Sequence, residues 1–161
     1  MQGKPNWLWP IMIVISTLGS PVVLAPVAFV LGVLQIGTTH KDAGLALLLA
    51  CMASVVSALL KFVPRRIRPD TPYVRRMLFK TYSFPSGHAF SSAVIYGLAA
   101  CFGYMYLPGP TALGLSLGLL CLVLAVGFSR IYLGAHYVLD VLGGWLFAAA
   151  TLALLVAFLA D

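Results

Sequence analysis

Residues 82–90 read Tyr-Ser-Phe-Pro-Ser-Gly-His-Ala-Phe, and this polar stretch begins a long apolar run. Pro85 has a restricted φ and disfavours helix at the residue before it. Ser86 is therefore predicted to cap the N-terminus of a helix, and Gly87 would let the backbone approach a bound group closely. Free backbone N–H groups and the positive end of the helix dipole favour an anion at this position. His88 places a titratable proton donor beside the predicted anion site.

The apolar run continues a pattern that holds for the whole chain. Of its 161 residues, 61% are hydrophobic and 9% are charged, and the mean hydropathy is +1.02. A typical soluble domain carries about 25% charged residues. Several apolar runs approach or exceed the roughly 20 residues that cross a bilayer as helix, without the period-2 alternation of a membrane barrel. The sequence predicts an all-α, polytopic membrane helix bundle, a single domain over residues 1–161, in the inner or plasma membrane.

Breaks in the apolar pattern predict about five transmembrane helices, or six if the N-terminal region crosses twice. Gly19-Ser20-Pro21 separates an N-terminal interfacial helix, residues 7–18, from a first span, residues 21–36. A single kinked helix over both ranges is the alternative. The other predicted spans are residues 44–63, 86–106, 111–128 and 136–159.

Two glycine pairs predict close contacts between these helices. Gly114 and Gly118 offer a small-xxx-small packing face in the fourth span, and Gly143-Gly144 lies near the start of the fifth. Because successive spans alternate in direction, one membrane face receives the end of the second span, the start of the third, the end of the fourth and the start of the fifth.

That face collects most of the charged and titratable residues. The chain has a net charge of +6 but only four acidic residues, so a paired-carboxylate or carboxylate-rich two-metal site cannot be assembled easily. Lys61, Arg68 and Arg130 are predicted to bind phosphate. Asp70 is interpreted as a partner of a neighbouring arginine. For the remaining basic residues of the segment we favour contact with lipid headgroups: Arg65, Arg66, Arg75, Arg76 and Lys80.

His136 and Asp140 are four residues apart, so on a helix their side chains would share a face. A carboxylate on one ring nitrogen fixes the tautomer and raises the basicity of the other, although a purely structural polar pair is the alternative. With His88 these residues could form a zinc set by count. Three cations brought to the same place would repel a dication and attract a phosphate. We therefore expect phosphoryl transfer without a metal or cofactor.

Three ordered segments also resemble a known family. They are Lys61-(six residues)-Arg68-Pro69, then Pro85-Ser86-Gly87-His88, then Ser129-Arg130-(five residues)-His136-(three residues)-Asp140. Together they are similar to the signature of the type 2 phosphatidic acid phosphatase superfamily, which are membrane lipid phosphate phosphatases.

The resemblance implies a role for each matching residue. His136 would attack phosphorus and form a phosphohistidine, Asp140 would orient it, and His88 would protonate the leaving oxygen. Lys61, Arg68, Ser86, Gly87 and Arg130 would hold the phosphoryl oxygens. The implied partners are a lipid phosphate substrate and membrane lipids, with no nucleic acid and no metal.

Several functions remain open at this point. The leading hypothesis is a lipid phosphatase acting on polyprenyl diphosphate, phosphatidylglycerophosphate, phosphatidic acid or a lipid A phosphate. Phosphotransfer to an acceptor lipid or sugar is the alternative within the family, and an anion channel or carrier is a different class. The resemblance implies six spans and an extracytoplasmic active site, whereas the basic residues taken alone would place this face in the cytoplasm.

Overall fold

The computed structural model of this chain describes residues 7–77 and 81–160, so the prediction for Lys80 lies outside the described residues. The described part is helical. Its seven helices are α1 (Leu8–Leu18), α2 (Pro21–Ile36), α3 (Lys41–Leu60), α4 (Pro72–Arg75), α5 (Gly87–Tyr106), α6 (Gly109–Tyr132) and α7 (Val138–Ala160).

The N-terminal apolar run is broken where the sequence predicts. Helix α1 ends at Leu18, and α2 begins at Pro21 after the extended backbone of Ser20. The 11 residues of α1 extend only about 16 Å, which is too short to cross a hydrocarbon core of about 30 Å. The helix packs along α6 and buries Met12 and Ser16. Two helices therefore replace the single kinked helix that was the alternative.

Five helical segments are long and apolar enough to cross a membrane, which confirms the predicted number within the described residues. They are residues 8–36 taken together, α3, α5, α6 and α7. Large apolar side chains remain exposed around the bundle, with Val22 at 81%, Leu146 at 73% and Leu154 at 74%. In water such a surface would drive aggregation, whereas a bilayer solvates it. The chain is an integral membrane protein.

Three predicted boundaries on the membrane face that collects the charged residues are wrong. Helix α3 does not continue to Val63 but ends at Leu60, so Lys61 follows the helix. Helix α6 does not end at Phe128 but continues to Tyr132, so Arg130 lies in its last turn rather than in a connection. Helix α7 begins at Val138, so His136 precedes the helix in a turn. The polar side chains of Arg130 and His136 find partners inside the protein. They therefore do not mark the end of α6 and the start of α7 as the sequence predicted.

Helix α5 is the centre of the bundle and contacts α2, α3, α6 and α7. Its buried side chains Phe90, Val94 and Leu98 form one cluster with small residues of α3 and with α7. Such packing suits a membrane protein, because helices in lipid associate through close van der Waals contact rather than through a hydrophobic driving force.

Close approach of α5 and α7 depends on Gly144. A Cβ added there would lie 2.7 Å from the carbonyl oxygen of Ser86. The predicted Gly143-Gly144 contact is therefore present. The predicted face of Gly114 and Gly118 is wrong, since a Cβ at either position would meet nothing within 4 Å.

Candidate active site

The Pro85–His88 loop is held between the end of α3 and the start of α7. Ser86 is the N-cap of α5, as predicted, and its hydroxyl accepts a long hydrogen bond of 3.5 Å from the backbone N–H of Ala89. The backbone N–H of Ser86 donates to the carbonyl oxygen of Asp140 at 2.9 Å. Lys61 Nζ donates to the carbonyl oxygen of Pro85 at 2.5 Å. Two distant parts of the chain, the end of α3 and the start of α7, therefore fix the backbone of this loop.

His136 and Asp140 meet, although they do not share a helix face. Asp140 lies in the first turn of α7, and its Oδ2 accepts from the backbone N–H of Tyr137 at 2.9 Å. This contact orients the carboxylate back toward His136, whose Nδ1 is 3.4 Å from Oδ2. That distance is longer than a formed hydrogen bond, and Nδ1 has no other partner among the described residues.

Arg68 contacts Nε2, the other ring nitrogen of His136. Its Nη1 is 3.1 Å from His136 Nε2 and also donates to the carbonyl oxygen of Ala135, while Nε and Nη2 donate to Thr81. A guanidinium can only donate hydrogen bonds, so Nε2 must accept and the ring proton must be on Nδ1. The nucleophilic lone pair of His136 therefore points toward a cation, and the proton points toward a carboxylate.

Arg130 is buried at the end of α6, with 1% of its surface exposed. Its Nη1 donates to the hydroxyl of Ser16 in α1 and, at 3.3 Å, to that of Tyr73 in α4. Its Nε has no hydrogen-bond partner among the described groups. A buried unpaired donor on a charged group is costly unless an acceptor reaches it, and a phosphoryl oxygen is such an acceptor.

His88 lies in the first turn of α5, half-buried, within electrostatic range of Arg130, His136, Lys61 and Arg68. Next to it, a Cβ at Gly87 would lie 3.9 Å from Cε of Lys61. The structure thus brings together all eight residues of the predicted site: Lys61, Arg68, Ser86, Gly87, His88, Arg130, His136 and Asp140.

The cations of this pocket repel one another. Burial lowers the pKa of Lys61 to about 8, and the charge of Arg68 lowers it further than the charge of Asp140 raises it. Burial and the charge of Arg130 lower the pKa of Arg68 to about 10. A pocket of this kind stabilises an anion, because a bound anion offsets both the cost of burying the cations and the repulsion between them.

His136 is held in its neutral form. Burial is the main cause that lowers its pKa to about 4, the carboxylate of Asp140 opposes this effect, and the charge of Arg68 adds to it. A neutral imidazole can attack an electrophile through its Nε2 lone pair once the contact with Arg68 is released. No group of three or more His, Cys, Asp or Glu side chains in the described ranges is placed to hold a metal ion.

Two residues of this site were missed or misinterpreted from the sequence. Arg66, expected at lipid headgroups, instead donates from Nη1 to Asp140 Oδ1 at 2.8 Å. Ser83 was given no role, but its hydroxyl donates to Asp140 Oδ2 at 2.5 Å. The prediction for Asp70 is confirmed, because it forms a two-bonded ion pair with Arg75.

The helix bundle brings two histidines, one buried carboxylate and three cations to a single pocket. This combination is typical of membrane-bound enzymes that act on phosphate groups. Comparison with known proteins identifies the family. The sequence pattern of the PAP2 superfamily matches residues 42–161, and the chain belongs to this superfamily.

The chain is similar to phosphatidylglycerophosphatase B of Bacillus subtilis, with 34% identity over 88% of the chain and 70% of the relative. It is also similar to an undecaprenyl-diphosphatase of Sulfolobus acidocaldarius, with 30% identity over 84% of the chain and 63% of the relative. These names place it among hydrolases that act on lipid phosphates, and not among anion channels.

Solved structures agree with the fold. A transmembrane PAP2-type phosphatidylglycerolphosphate phosphatase from Bacillus subtilis superposes with a TM-score of 0.83 at 30% identity, covering 97% of this chain and 78% of that one. LpxE of Aquifex aeolicus superposes with a TM-score of 0.72 at 22% identity, covering 96% and 88%. The second likeness concerns the fold alone.

Proposed function

We propose that this protein hydrolyses a phosphomonoester or diphosphate of a lipid through a phosphohistidine on His136, without a metal. One observation carries the proposal. The Nε2 lone pair of His136 and the guanidinium of Arg68 face each other at 3.1 Å, with Asp140 behind Nδ1. A phosphoryl group that displaced the Arg68 guanidinium from Nε2 would have a nucleophile on phosphorus and a cation on its oxygens.

The two steps follow from this arrangement. Nε2 of His136 forms a bond to the terminal phosphorus, and the bond from that phosphorus to the oxygen of the leaving group breaks. The leaving group is the lipid alcohol of a phosphomonoester or the lipid monophosphate of a diphosphate, and His88 donates a proton to its oxygen. Water then attacks the phosphohistidine, gives a proton to His88, and releases inorganic phosphate and free His136. Lys61, Arg68 and Arg130 stabilise the charge on the equatorial oxygens in both steps.

A cleft beside Arg68 supports a lipid headgroup as the substrate. Its volume is about 630 Å³, and its walls include Phe62, Ile67 and Tyr82. Arg68 lines this cleft and also contacts His136, so a headgroup in the cleft would lie next to the residue that contacts the imidazole. Phosphatidylglycerophosphate and a polyprenyl diphosphate are the first substrates to test, because the relatives' names contain these chemical classes.

The test is release of inorganic phosphate from a panel of lipid phosphates by the purified protein in detergent, with and without a metal chelator. His136→Ala should abolish release. His40→Ala is the matched control, because His40 is exposed next to α3 at the opposite end of the bundle and should not matter. Quenching a reaction with phosphate-labelled substrate in alkaline denaturant, which preserves the acid-labile P–N bond of a phosphohistidine, should trap label on the wild-type protein.

Each failure has its own meaning. Equal release by wild type and His136→Ala would refute the role of His136, and loss of activity with the chelator would refute the metal-free mechanism. Label that leaves the protein only when an acceptor lipid or sugar is added would identify a transferase instead of a hydrolase.

We also propose that the active site faces the extracytoplasmic side, as the family resemblance implies. Helix α7 starts at the site and is 23 residues long, about 34 Å, so its C-terminal end lies on the opposite face. A fluorescent protein that matures only in the cytoplasm should therefore fluoresce when fused after Asp161. A C-terminal fusion that stays dark would contradict this orientation. A fusion at the N-terminus, expressed at the same level, is the reference.

A further inference from the structure

Arg66 lies between two residues of the first motif, Lys61 and Arg68, but belongs to none of the three motifs. Its Nη1 donates to Oδ1 of Asp140 at 2.8 Å, and its guanidinium stacks over the ring of Tyr137 at 4.4 Å. The side chain of Arg66 is 36% exposed, whereas that of Asp140 is fully buried. Arg66 therefore connects the buried carboxylate to the protein surface beside the candidate active site.

Asp140 is held by more than this ion pair. Its Oδ2 accepts from the hydroxyl of Ser83 at 2.5 Å and from the backbone N–H of Tyr137 at 2.9 Å. The backbone N–H of Ser83 in turn donates to the carbonyl oxygen of Arg66 at 2.8 Å. Arg66 and Ser83 thus form one unit through their backbones, and both side chains of this unit end on Asp140.

These contacts give each carboxylate oxygen a defined task. Oδ1 is used by Arg66, and Oδ2 is directed by two donors so that it faces Nδ1 of His136. A carboxylate that supports a neutral histidine needs another cation to balance its charge in a buried site. Arg66 is that cation.

We propose that Arg66 is a positioning residue of the reaction, which fixes and neutralises Asp140 so that Asp140 can orient His136. Arg66 acts through Asp140 and does not bind the phosphoryl group. The proposal rests on the function proposed above for His136. It replaces the expectation, taken from its place in a basic segment, that Arg66 contacts lipid headgroups.

The proposal implies a change in the titration of His136 when Arg66 is removed. The unpaired carboxylate would attract a proton onto the imidazole, and loss of a nearby positive charge would act in the same direction. Both effects raise the pH at which His136 becomes protonated. The groups that face the His136–Asp140 pair from the surrounding elements are Lys61, Arg66, Arg68, Ser83, His88, Arg130 and Tyr137.

Arg66→Gln tests the proposal, and Arg65→Gln is the matched control. Arg65 is the preceding residue, carries the same charge and is exposed, and its Nε donates to the carbonyl oxygen of Phe62. Arg66→Gln should lower kcat roughly 10- to 100-fold with little change in KM, the loss expected for one hydrogen bond to a charged group. It should also move the acid limb of kcat/KM to higher pH. Arg65→Gln should change neither, and Arg66→Lys should recover part of kcat.

A headgroup contact would give a different result. In that case Arg66→Gln would raise KM, leave kcat and the acid limb unchanged, and be matched by Arg65→Gln. That outcome, or an unchanged kcat in Arg66→Gln, would overturn the proposal.

A second measurement keeps the proposal testable if the wild type hydrolyses no lipid phosphate, which would be a failure of the proposed function alone. The melting temperature of wild type and Arg66→Gln in detergent is followed as the pH falls. The loss of stability through His136 begins at the unfolded-state pKa near 6.5 and ends at the folded-state pKa. Arg66→Gln, which raises only the folded-state pKa, should therefore lose less stability through His136 than wild type, and its loss should level off at a higher pH; coinciding profiles would overturn the role of Arg66. If Arg66→Gln does not fold, Arg66→Lys is compared in the same way, with a smaller shift in the same direction expected.

Discussion

Acid should destabilise this protein through His136, because its imidazole is buried in the neutral form. The side chain is 1% exposed, and burial is the main cause that lowers its pKa from 6.5 to about 4. In the unfolded chain the same group titrates near 6.5. The folded state therefore has its full stability above about pH 6.5, loses it as the pH falls toward about 4, and loses no more through this group below that.

The size of the effect follows from the two pKa values. A displacement from 6.5 to about 4 corresponds to about 3 kcal/mol of differential free energy between the folded and unfolded states. Typical domains are stable by about 5–15 kcal/mol, so this single histidine could remove a large part of the total.

The assay is thermal unfolding in detergent micelles across this pH range for wild type and His136→Gln. Glutamine cannot take up a proton, so the variant should have a flatter profile, and the difference between the two curves isolates His136 from other titrating groups. His40→Gln, which changes an exposed histidine, should follow the wild-type curve.

Parallel curves for wild type and His136→Gln would refute the reasoning, since they would mean that the imidazole is equally protonated in both states. Activity gives a second check. If neutral His136 is the nucleophile, kcat/KM should rise with pH through about 4 and not through the ordinary histidine value. An acid limb near 6.5 would contradict a buried neutral imidazole.

Three further predictions concern packing, phosphate binding and proton donation. Gly144→Ala should lower the free energy of unfolding by about 1–3 kcal/mol, because the new methyl group meets backbone at 2.7 Å. Gly114→Ala is the control and should be neutral, because its methyl group meets nothing within 4 Å. Melting temperatures in detergent compare the two variants. Arg68→Lys should lower kcat/KM roughly 10- to 100-fold, since lysine cannot hold the imidazole contact and Thr81 at once, and an unchanged value would argue against Arg68 as a phosphate ligand. His88→Gln should lower kcat/KM, which reports formation of the phosphohistidine, roughly 100- to 10,000-fold for a phosphate ester of a lipid alcohol. The loss should be far smaller for a nitrophenyl phosphate, whose leaving group needs no proton, and equal losses in kcat/KM would argue against His88 as the acid.

Much of the fold could be predicted because lipid imposes simple rules on a sequence. Apolar length identified five spans, and Gly19-Ser20-Pro21 located the break between α1 and α2. The errors arose where the rules are weakest. A small-xxx-small pair at Gly114 and Gly118 states that close approach is possible, but it does not state that a partner helix is present.

Helix ends at the active site were also beyond reach of the sequence. Polar residues at 129–135 suggested a connection, yet α6 continues through Arg130 because its guanidinium finds Ser16 and Tyr73. Those partners are 114 and 57 residues away in the chain. No local pattern reports a contact over such a separation.

The motif residues were easier to identify from the sequence than the residues that contact them. Alternating spans place the motif residues on one face, so their convergence follows from topology. Arg66 and Ser83 act on Asp140 from 74 and 57 residues away. In the sequence Arg66 is one of several arginines in a basic segment, and it differs from Arg65 only in the contacts that the fold creates.

The charge balance of the pocket explains why such a support is needed. Asp140 is the carboxylate whose charge acts on Lys61, Arg68 and His136. If Asp140 had no other cation, the phosphate-binding cations would be drawn toward it and away from the substrate. Its pairing with Arg66 satisfies the carboxylate locally and leaves Lys61, Arg68 and Arg130 with positive charge that an incoming phosphate can neutralise. The same ion pair thus serves the histidine on one side and the anion pocket on the other.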